Sequence, residues 1–467
     1  MADTQTPDRF VGLLAATAMG VYLLLAVGAT TAITDATAAC TAWPVCGDGW
    51  TLPTTVDGYV AVGHRLVALA VGLLVVATAV VGWRRRESRR VRAALAVSVL
   101  LYPVQAAVGA LVATSGVTLA LSVLHLAVAM VIFGGLVAAL AWTLEVQTGD
   151  PDDVPESAPE PDLPPADDRS PEIPSEPVAR AKATANAYFR LMKPRLMWLL
   201  CLVASAGMAL AAGSQGLDIV TVLATLGGGA LSIGASGTFN HVLERDIDRR
   251  MNRTSDRPLA TDLVPVRNAI AFGVVLAALS LALFASVNLL AAALGLAAIL
   301  FYSVVYTLIL KPNTVQNTVI GGAAGALPAI IGWVAVTGSI GLGGIALATL
   351  IFLWTPAHFY NLALAYKDDY ERGGFPMMPV VRGETTTRRH ILWYLGATLL
   401  AAGALAASEA LGWVYVVSGV LVGAVFLWAV VRLHYEQTES AAFRAFHASN
   451  AYLGVTLLAI VVDTLAI

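Results

Sequence analysis

The chain has 467 residues, of which 58% are hydrophobic, and its formal net charge is −3. This composition excludes an ordinary soluble protein, and the small net charge argues against a nucleic-acid partner. Apolar runs of about 20 residues, enough to cross a bilayer, recur along the chain. The sequence therefore predicts an all-α polytopic membrane protein surrounded by the lipid bilayer.

Thirteen hydrophobic segments are long enough to cross the membrane, four before a polar linker and nine after it. Their approximate bounds are 10–34, 58–82, 93–113, 118–143, 194–213, 218–240, 266–286, 288–309, 317–337, 342–365, 390–410, 412–432 and 446–466. We therefore expect a four-helix N-terminal bundle followed by a nine-helix bundle.

The linker divides the chain into two predicted membrane domains, residues 1–145 and residues 188–467. Residues 146–187 between them are rich in Pro, Asp, Glu and Ser. Such a composition cannot bury enough apolar surface to order itself. We interpret this region as an acidic, Pro-rich cytoplasmic tether.

Positive charges orient the segments. With the N-terminus inside, the loops 84–92, 241–267 and 366–389 lie inside and carry six, six and five Lys or Arg residues. The outer loops, such as 35–57 and 214–217, carry none. Because Lys and Arg accumulate in cytoplasmic loops, we predict a cell-membrane protein with a cytoplasmic N-terminus and an external C-terminus.

Two histidines of the first domain, His64 and His125, lie at similar depth in segments that both run from outside to inside. Ionisable residues inside membrane segments are candidates for function. Two imidazoles at one depth could supply both axial ligands of a haem. The alternative is that each histidine only hydrogen-bonds a neighbouring helix.

Cys40 and Cys46 lie in the first outer loop, on the oxidising side of the membrane. This position favours a disulfide that closes a small ring. A pair of unlinked thiols is an alternative. A metal site is a weaker one, because the loop offers few further ligands.

The first domain resembles the N-terminal half of the haem A synthases. The matching residues are Cys40, Trp43-Pro44, Cys46, Gly63-His64-Arg65, Gln105, Gly109 and His125. That family usually has two such four-helix halves, and it usually has a glutamate where this chain has Ala61. The resemblance implies bound haem. It leaves open whether the domain oxidises haem, forms a homo-oligomer or pairs with a haem A synthase partner.

The segment 240–258 reads NHVLERDIDRRMNRTSDRP and follows an apolar run. Asn240, Glu244 and Asp248 stand at i, i+4 and i+8 and would share one helix face, whereas Asp246 lies off that face. Carboxylates beside several arginines suit Mg²⁺ and a diphosphate. The alternative is a solvated loop whose charges only reflect membrane topology.

A second acidic cluster, Lys367-Asp368-Asp369-Tyr370, follows the apolar run 347–365. Two such clusters on one membrane face can hold Mg²⁺ ions around one diphosphate. We therefore expect the two clusters to meet.

Both motifs resemble those of the UbiA-type intramembrane prenyltransferases, and within them the subfamily of protohaem IX farnesyltransferases. The resemblance covers residue 188 to the C-terminus and includes Pro-Met-x-Pro-Val-Val after the second cluster. One departure is Glu244, where the family usually has Asp. The family resemblance implies a nine-helix bundle, Mg²⁺ as cofactor, and farnesyl diphosphate and haem B as substrates.

Individual roles follow from that resemblance. The catalytic residues would be Asn240, Glu244, Asp248, Asp368 and Asp369, with Mg²⁺ held by Glu244, Asp246, Asp248, Asp368 and Asp369. Substrate contacts would come from Arg253, Arg257, Lys311, Lys367, Tyr370 and His358. Tyr302, Tyr306 and Tyr370 could shield an allylic cation, or they could be ordinary interfacial anchors.

The implied reaction transfers a farnesyl group to a vinyl group of haem B and yields haem O. An alternative within the family is prenylation of a quinone precursor or an archaeal lipid. A haem carrier or transporter is a further alternative. It is disfavoured because the acidic residues lie at helix ends rather than at the membrane midplane.

Overall fold

The structure is a computed structural model that describes residues 7–31, 39–40, 42–46, 52–116, 118–151, 153, 175–407 and 411–465. Residues 152 and 154–174 of the predicted linker and the ends of predicted segments 10–34, 390–410 and 446–466 lie outside these ranges. Within them the regular structure is helical, and no strand occurs, as predicted.

Helices account for most of the described residues. They are α1 (Arg9–Thr31), α2 (Val56–Arg84), α3 (Arg89–Ser115), α4 (Leu119–Thr148), α5 (Pro177–Leu191), α6 (Pro194–Ala212), α7 (Ile219–Leu243), α8 (Arg245–Asp248), α9 (Val266–Val287), α10 (Leu289–Leu300), a π-helix (Phe301–Leu310), α11 (Lys311–Asn313), α12 (Asn317–Thr337), α13 (Leu342–Ala365), α14 (Lys367–Arg372), α15 (Met378–Arg382), α16 (Glu384–Leu405), α17 (Trp413–Glu436) and α18 (Glu439–Leu465).

Twelve helices in the described ranges are long and apolar enough to cross a membrane. The chain is therefore a multi-pass membrane protein, as predicted. The predicted segment 390–410 corresponds to α16, which is not among the twelve. This helix ends at Leu405, and its first two turns carry Glu384, Arg388 and Arg389, so no stretch of it as long as a membrane span is sufficiently apolar.

One end of the predicted linker is helical. Alanine-rich α5 begins at Pro177, and its buried residues Ala187 and Leu191 pack against Leu259 and Val264. The sequence predicted no order here because the linker cannot fold by itself. In the structure, the segment is ordered by packing on the loop that follows α8.

The helices form two compact units. The first unit contains residues 1–151 together with 388–459, and the second contains 152–387 together with 460–467. The last helices therefore pack with the first four, and these units differ from the predicted sequence domains 1–145 and 188–467. Those boundaries stay a prediction about sequence segments.

Polar contacts hold the first unit together at the end of α4. The Tyr435 hydroxyl on α17 donates to Oε1 of Gln147 at 2.7 Å, and Gln437 donates to the carbonyl of Thr148 at 2.8 Å. Glu145 also forms an ion pair with Arg389 of α16. Such contacts between distant parts of the sequence cannot be read from local patterns.

In the second unit, small residues allow close helix contact. A Cβ added to Gly207 of α6 or to Gly332 of α12 would collide with the backbone carbonyl of Ala329 or of Ala204, respectively. This close crossing of α6 and α12 is typical of membrane helices, where packing replaces the hydrophobic effect. It holds α6 against α12, and the residue that precedes α6, Lys193, belongs to the site described next.

Candidate active site

Asn240, Glu244 and Asp248 lie on one face of a helical run at the end of α7. The Glu244 N–H donates to the carbonyl of Asn240 at 2.9 Å, and the Asp248 N–H donates to that of Glu244 at 2.7 Å. The helical spacing therefore continues through α8. The three residues are only 2%, 4% and 3% exposed.

Two cationic side chains contact the two carboxylates. Arg257 Nη1 lies 2.8 and 2.7 Å from the oxygens of Asp248 and 3.7 Å from Oε2 of Glu244. Lys311 Nζ lies 2.5 Å from Oε1 of Glu244. Because one nitrogen of Arg257 is close to both acids, the two carboxylates face a common point that accepts positive charge.

The electrostatics favour the charged form of Glu244. Burial by itself would raise the pKa of this carboxyl, but Lys311, Lys193 and Arg257 outweigh burial and lower it. Glu244, the residue that departs from the family pattern, is thus ionised at neutral pH and faces the same point as Asp248.

Lys193 is a third cation of this cluster, and sequence analysis did not identify it. It precedes α6 with a left-handed backbone, φ 54°. Its Nζ donates to Oδ1 of Asn240 and to the Tyr302 hydroxyl, the latter at 3.3 Å. Burial and the nearby Arg257 lower the pKa of Lys193 to about 7, although Glu244 opposes this. From sequence alone, a lysine at the start of a membrane helix suggests only interfacial anchoring.

The π-helix orients Asn240. Nδ2 of Asn240 donates to Oγ1 of Thr307 at 3.2 Å, and that hydroxyl donates to the carbonyl of Tyr302, five residues earlier, at 2.9 Å. The rings of Tyr302 and Tyr306 lie 5.5 Å apart beside this contact. Irregular π-helical turns are frequent at functional sites. Here the turn brings two aromatic rings next to the charged cluster.

The second acidic motif packs against the loop that follows the first. Asp369 is buried and accepts hydrogen bonds from the backbone N–H groups of Asn252 and Arg253, at 2.8 and 3.2 Å. The Arg253 guanidinium donates to the Tyr370 hydroxyl at 3.2 Å and lies 4.8 Å from the centre of the Tyr366 ring. The two predicted motifs therefore lie side by side in the second unit.

The remaining predicted site residues either are exposed or contact residues other than Glu244 and Asp248. Asp368 is exposed, and the Asp246 side chain is 74% exposed and pairs with Arg245. Lys367 pairs with Glu384 at 3.3 Å, and buried His358 stacks on Trp354 with ring centres 4.3 Å apart. The structure thus brings Glu244 and Asp248 together and leaves Asp246 and Asp368 at the surface.

The donor set determines which metal ion the cluster can accept. Among the described residues, no group of three or more His, Cys, Asp or Glu side chains is close enough to hold a metal ion. The converging donors are instead two carboxylates and the Asn240 amide oxygen. Mg²⁺ prefers such oxygen ligands and typically binds through one or two carboxylates plus substrate phosphates. The residues therefore fit Mg²⁺ that has a phosphate among its ligands.

In the first unit, His64 on α2 and His125 on α4 each have a buried Nδ1 without a hydrogen-bond partner. Nε2 of His125 lies 3.2 Å from Nε2 of Gln105. Glycines flank both rings, since a Cβ added to Gly28 or Gly109 would lie 3.3 Å or 3.0 Å from the nearest ring carbon. Buried polar atoms without partners are unusual and require an explanation.

The outer loop of this unit is fixed to the helix that carries His64. Cys40 and Cys46 form a disulfide. The neighbouring Arg65 donates to four backbone carbonyls of the loop, those of Cys40, Ala42, Pro44 and Val45, at 3.1, 2.9, 3.2 and 2.7 Å. One turn of α2 therefore holds both the imidazole and the disulfide loop.

Comparison with known proteins identifies the family. A model described as the UbiA prenyltransferase family matches residues 199–453, more than half of the chain. The chain belongs to the UbiA prenyltransferase family. It is therefore an enzyme of the prenyltransferase class, as the two motifs predicted.

Relatives within the UbiA prenyltransferases extend over the whole chain. A protoheme IX farnesyltransferase of Haloquadratum walsbyi is 67% identical and covers 98% of this chain and 97% of its own. One of Haloarcula marismortui is also 67% identical and covers 100% of both chains. A solved structure described as digeranylgeranylglyceryl phosphate synthase aligns with a TM-score of 0.52 at 16% identity over 61% of this chain and 100% of its own. That last similarity concerns the fold alone.

The first domain of this UbiA-family chain also matches a family model. The model is described as cytochrome oxidase assembly protein and matches residues 1–137 and 54–163. The predicted presence of two different family segments in one chain is confirmed.

Asp369 is buried, whereas Asp368 is exposed. The role of the buried Asp369 can be tested by substitution. We expect Asp369→Asn to raise the KM for the prenyl diphosphate about tenfold or more, because hydrogen bonds to a charged group contribute about 1.5–3 kcal/mol. The substitution would release the loop that carries Arg253 and Arg257. Steady-state kinetics together with the rate of tryptic cleavage in this loop measure both effects.

Asp262→Asn is the matched control, because the Asp262 carboxylate is 70% exposed and pairs only with Arg249 among the ion pairs of this loop. We expect neither its KM nor its cleavage rate to change. If Asp369→Asn left the cleavage rate unchanged while abolishing metal binding, Asp369 would be a metal ligand rather than an anchor of the loop.

Proposed function

We propose that this enzyme transfers a farnesyl group from farnesyl diphosphate to a vinyl group of protohaem IX, haem B, and so forms haem O. The observation that carries this proposal is the cluster of Glu244, Asp248, Arg257 and Lys311, in a chain that is 67% identical over nearly its full length to proteins named protoheme IX farnesyltransferase. In the reaction, the bond from the farnesyl C1 to diphosphate breaks and a bond to the vinyl carbon forms. Water then adds to the neighbouring carbon, and a proton is released.

Departure of diphosphate is the step that these residues assist. The leaving group gains negative charge, and cationic groups fixed in a site of low dielectric stabilise that charge. Lys193, Arg257 and Lys311 surround the carboxylate cluster, and Arg253 lies on the adjoining loop. Mg²⁺, held by Asn240, Glu244 and Asp248, would neutralise phosphate oxygens as a Lewis acid. In the second motif, Asp369 would hold the loop that carries Arg253 and Arg257, and Asp368 would supply a carboxylate on the same side of the diphosphate.

The allylic cation must be shielded from water until the vinyl carbon of the acceptor attacks it. Tyr302 and Tyr306 of the π-helix face the cluster, and the Lys193 ammonium already lies 5.5 Å from the centre of the Tyr302 ring. An aromatic face attracts positive charge. We therefore assign the two rings to the farnesyl C1 end of the site. Tyr370, which bonds to Arg253, would lie at the diphosphate end.

For the first domain we propose a haem held by His64 and His125. The buried Nδ1 atoms without partners and the glycines beside both rings support this assignment. Haem O is a substrate of haem A synthases, so a haem A synthase-like domain on the same chain would receive the product. A haem A synthase partner or a second copy of the chain would complete that activity.

We place the enzyme in the cell membrane with its N-terminus in the cytoplasm. Counting α16 as a thirteenth crossing, as the sequence analysis did, places its C-terminus outside. The cluster then lies on the inner face, where prenyl diphosphates and Mg²⁺ occur. The loop 241–267 with its six arginines supports this orientation, because positively charged loops stay inside.

Mass analysis of haems extracted from a host that expresses this chain tests the proposed reaction. We expect a haem whose mass exceeds that of haem B by one farnesyl group plus one hydroxyl. A host that expresses only the empty vector is the control. If the added mass appears on a quinone precursor or a lipid and haem B stays unchanged, the proposed acceptor is wrong.

A further inference from the structure

In this structure, positive side chains cover the oxygens that a metal ion would use. Arg257 Nη1 contacts both oxygens of Asp248 at 2.8 and 2.7 Å, and Lys311 Nζ contacts Oε1 of Glu244 at 2.5 Å. Lys193 donates to Oδ1 of Asn240. Each of the three predicted ligands on the helix face is therefore already paired with a cation of the protein.

The charge balance of this cluster opposes a metal ion that enters alone. Arg257 and Lys311 already balance the charges of the two carboxylates, and the side chains of Glu244 and Asp248 are only 6% and 4% exposed. Water therefore screens a further positive charge poorly. To reach the carboxylates, a divalent ion would have to displace Lys311 and Arg257, and these would remain as unpaired, partly buried charges.

A diphosphate changes this balance. Its oxygens accept hydrogen bonds from guanidinium and ammonium groups at least as well as carboxylates do. Arg257 Nη1 lies between the two acids, 3.7 Å from Glu244 and 2.7 Å from Asp248. A turn of this one side chain toward phosphate would therefore uncover oxygens of both carboxylates together.

We propose that Lys311 and Arg257 act as counter-cations that keep Mg²⁺ out of the Asn240–Glu244–Asp248 face until a diphosphate enters with it. This inference rests on the proposed function, because it concerns the same diphosphate site. Since coupling between two ligands is reciprocal, the metal and the diphosphate each strengthen the binding of the other. The site is then free of metal between turnovers, and the product diphosphate leaves together with its metal.

Metal binding to the full-length purified protein tests this coupling without any prenyl substrate or haem. Mn²⁺ alone is the first probe, followed by electron paramagnetic resonance, and magnesium with inorganic pyrophosphate is the second, followed by calorimetry. Removing the positive charge in Lys311→Met should tighten Mn²⁺ binding about tenfold or more and weaken pyrophosphate binding by a similar factor. Tighter Mn²⁺ binding together with weaker pyrophosphate binding identifies Lys311 as a counter-cation. If Lys311 only supported the structure of the site, its loss would weaken the binding of both ligands.

Lys311→Arg keeps the charge and should bind Mn²⁺ alone as weakly as the wild type. Lys182→Met, on the exposed part of α5, should change neither affinity. If Lys311→Met does not fold, Arg257→Gln provides the same test with the same opposite changes.

The inference is overturned if the wild type binds Mn²⁺ alone as tightly as Lys311→Met does, or if the substitutions weaken both ligands. Neither probe involves the prenyl acceptor. A wrong acceptor would therefore leave the coupling intact, and a missing coupling would leave the haem product intact.

Discussion

Asp248→Asn is expected to reduce farnesyl transfer by about a hundredfold to a thousandfold, the usual cost of removing one electrostatic group from a preorganised site. Asp248 is 3% exposed, and both of its oxygens contact Arg257. The amide keeps the shape of the side chain but loses its charge. It can neither bind a divalent ion as a carboxylate does nor hold Arg257 in the same way. Formation of haem O from farnesyl diphosphate and haem B by purified protein measures the loss.

Substitutions of two other acidic residues in the same loop region show whether the effect is specific to Asp248. Asp256→Asn is the matched control, because the Asp256 side chain is 75% exposed and pairs with Arg190. We expect it to retain full activity and the same amount of inserted protein. Asp246→Asn addresses the predicted metal set directly, and its 74% exposed side chain leads us to expect activity close to that of the wild type. Normal turnover by Asp248→Asn would refute the assignment of this carboxylate to the metal.

The second large effect concerns the first domain, where His64→Ala is expected to abolish bound haem. We expect the full-length protein to show the low-spin spectrum of a haem with two histidine ligands, because neutral imidazoles of two helices are a common axial pair. His64 has a buried Nδ1 without a partner and is flanked by Gly28. Loss of this ligand should remove the spectrum, and His125→Ala should do the same.

Absorption spectra of the purified full-length chain, reduced and oxidised, measure this effect. His447→Ala is the control, because His447 is exposed on α18 and its Nδ1 contacts only the carbonyl of Phe443 among the hydrogen bonds described for this ring. We expect the spectrum to be unchanged in this variant. A spectrum that survives both His64→Ala and His125→Ala would show that haem, if bound, has other ligands.

Features that depend on the sequence locally were predicted well. The length of the apolar runs predicted twelve membrane helices that the structure contains. The spacing of Asn240, Glu244 and Asp248 predicted that the three residues share one helix face. Helical phase also separated Asp246 from that face, and the structure places its side chain at the surface. These predictions succeed because helical periodicity is a property of consecutive residues.

Features that depend on distant residues were not predicted. Lys193 belongs to the cluster only because the start of α6 lies beside the end of α7, where its ammonium meets Asn240. Asp369 was predicted as a metal ligand, and this role stays a prediction. The sequence did not indicate that its carboxylate accepts hydrogen bonds from the backbone N–H groups of Asn252 and Arg253. Hydrogen bonds of this kind depend on loop conformation, and acidic spacing carries no information about it.

Consecutive residues already carry the apolar runs and the motif spacing, and these place the chain among the intramembrane prenyltransferases with many membrane crossings. Only long-range packing shows which cations contact Glu244 and Asp248, and which compact unit the last helices join. The physical reason is that a buried charge is stable only beside an opposite charge. The residue that supplies that charge can come from any part of the chain that packing brings near.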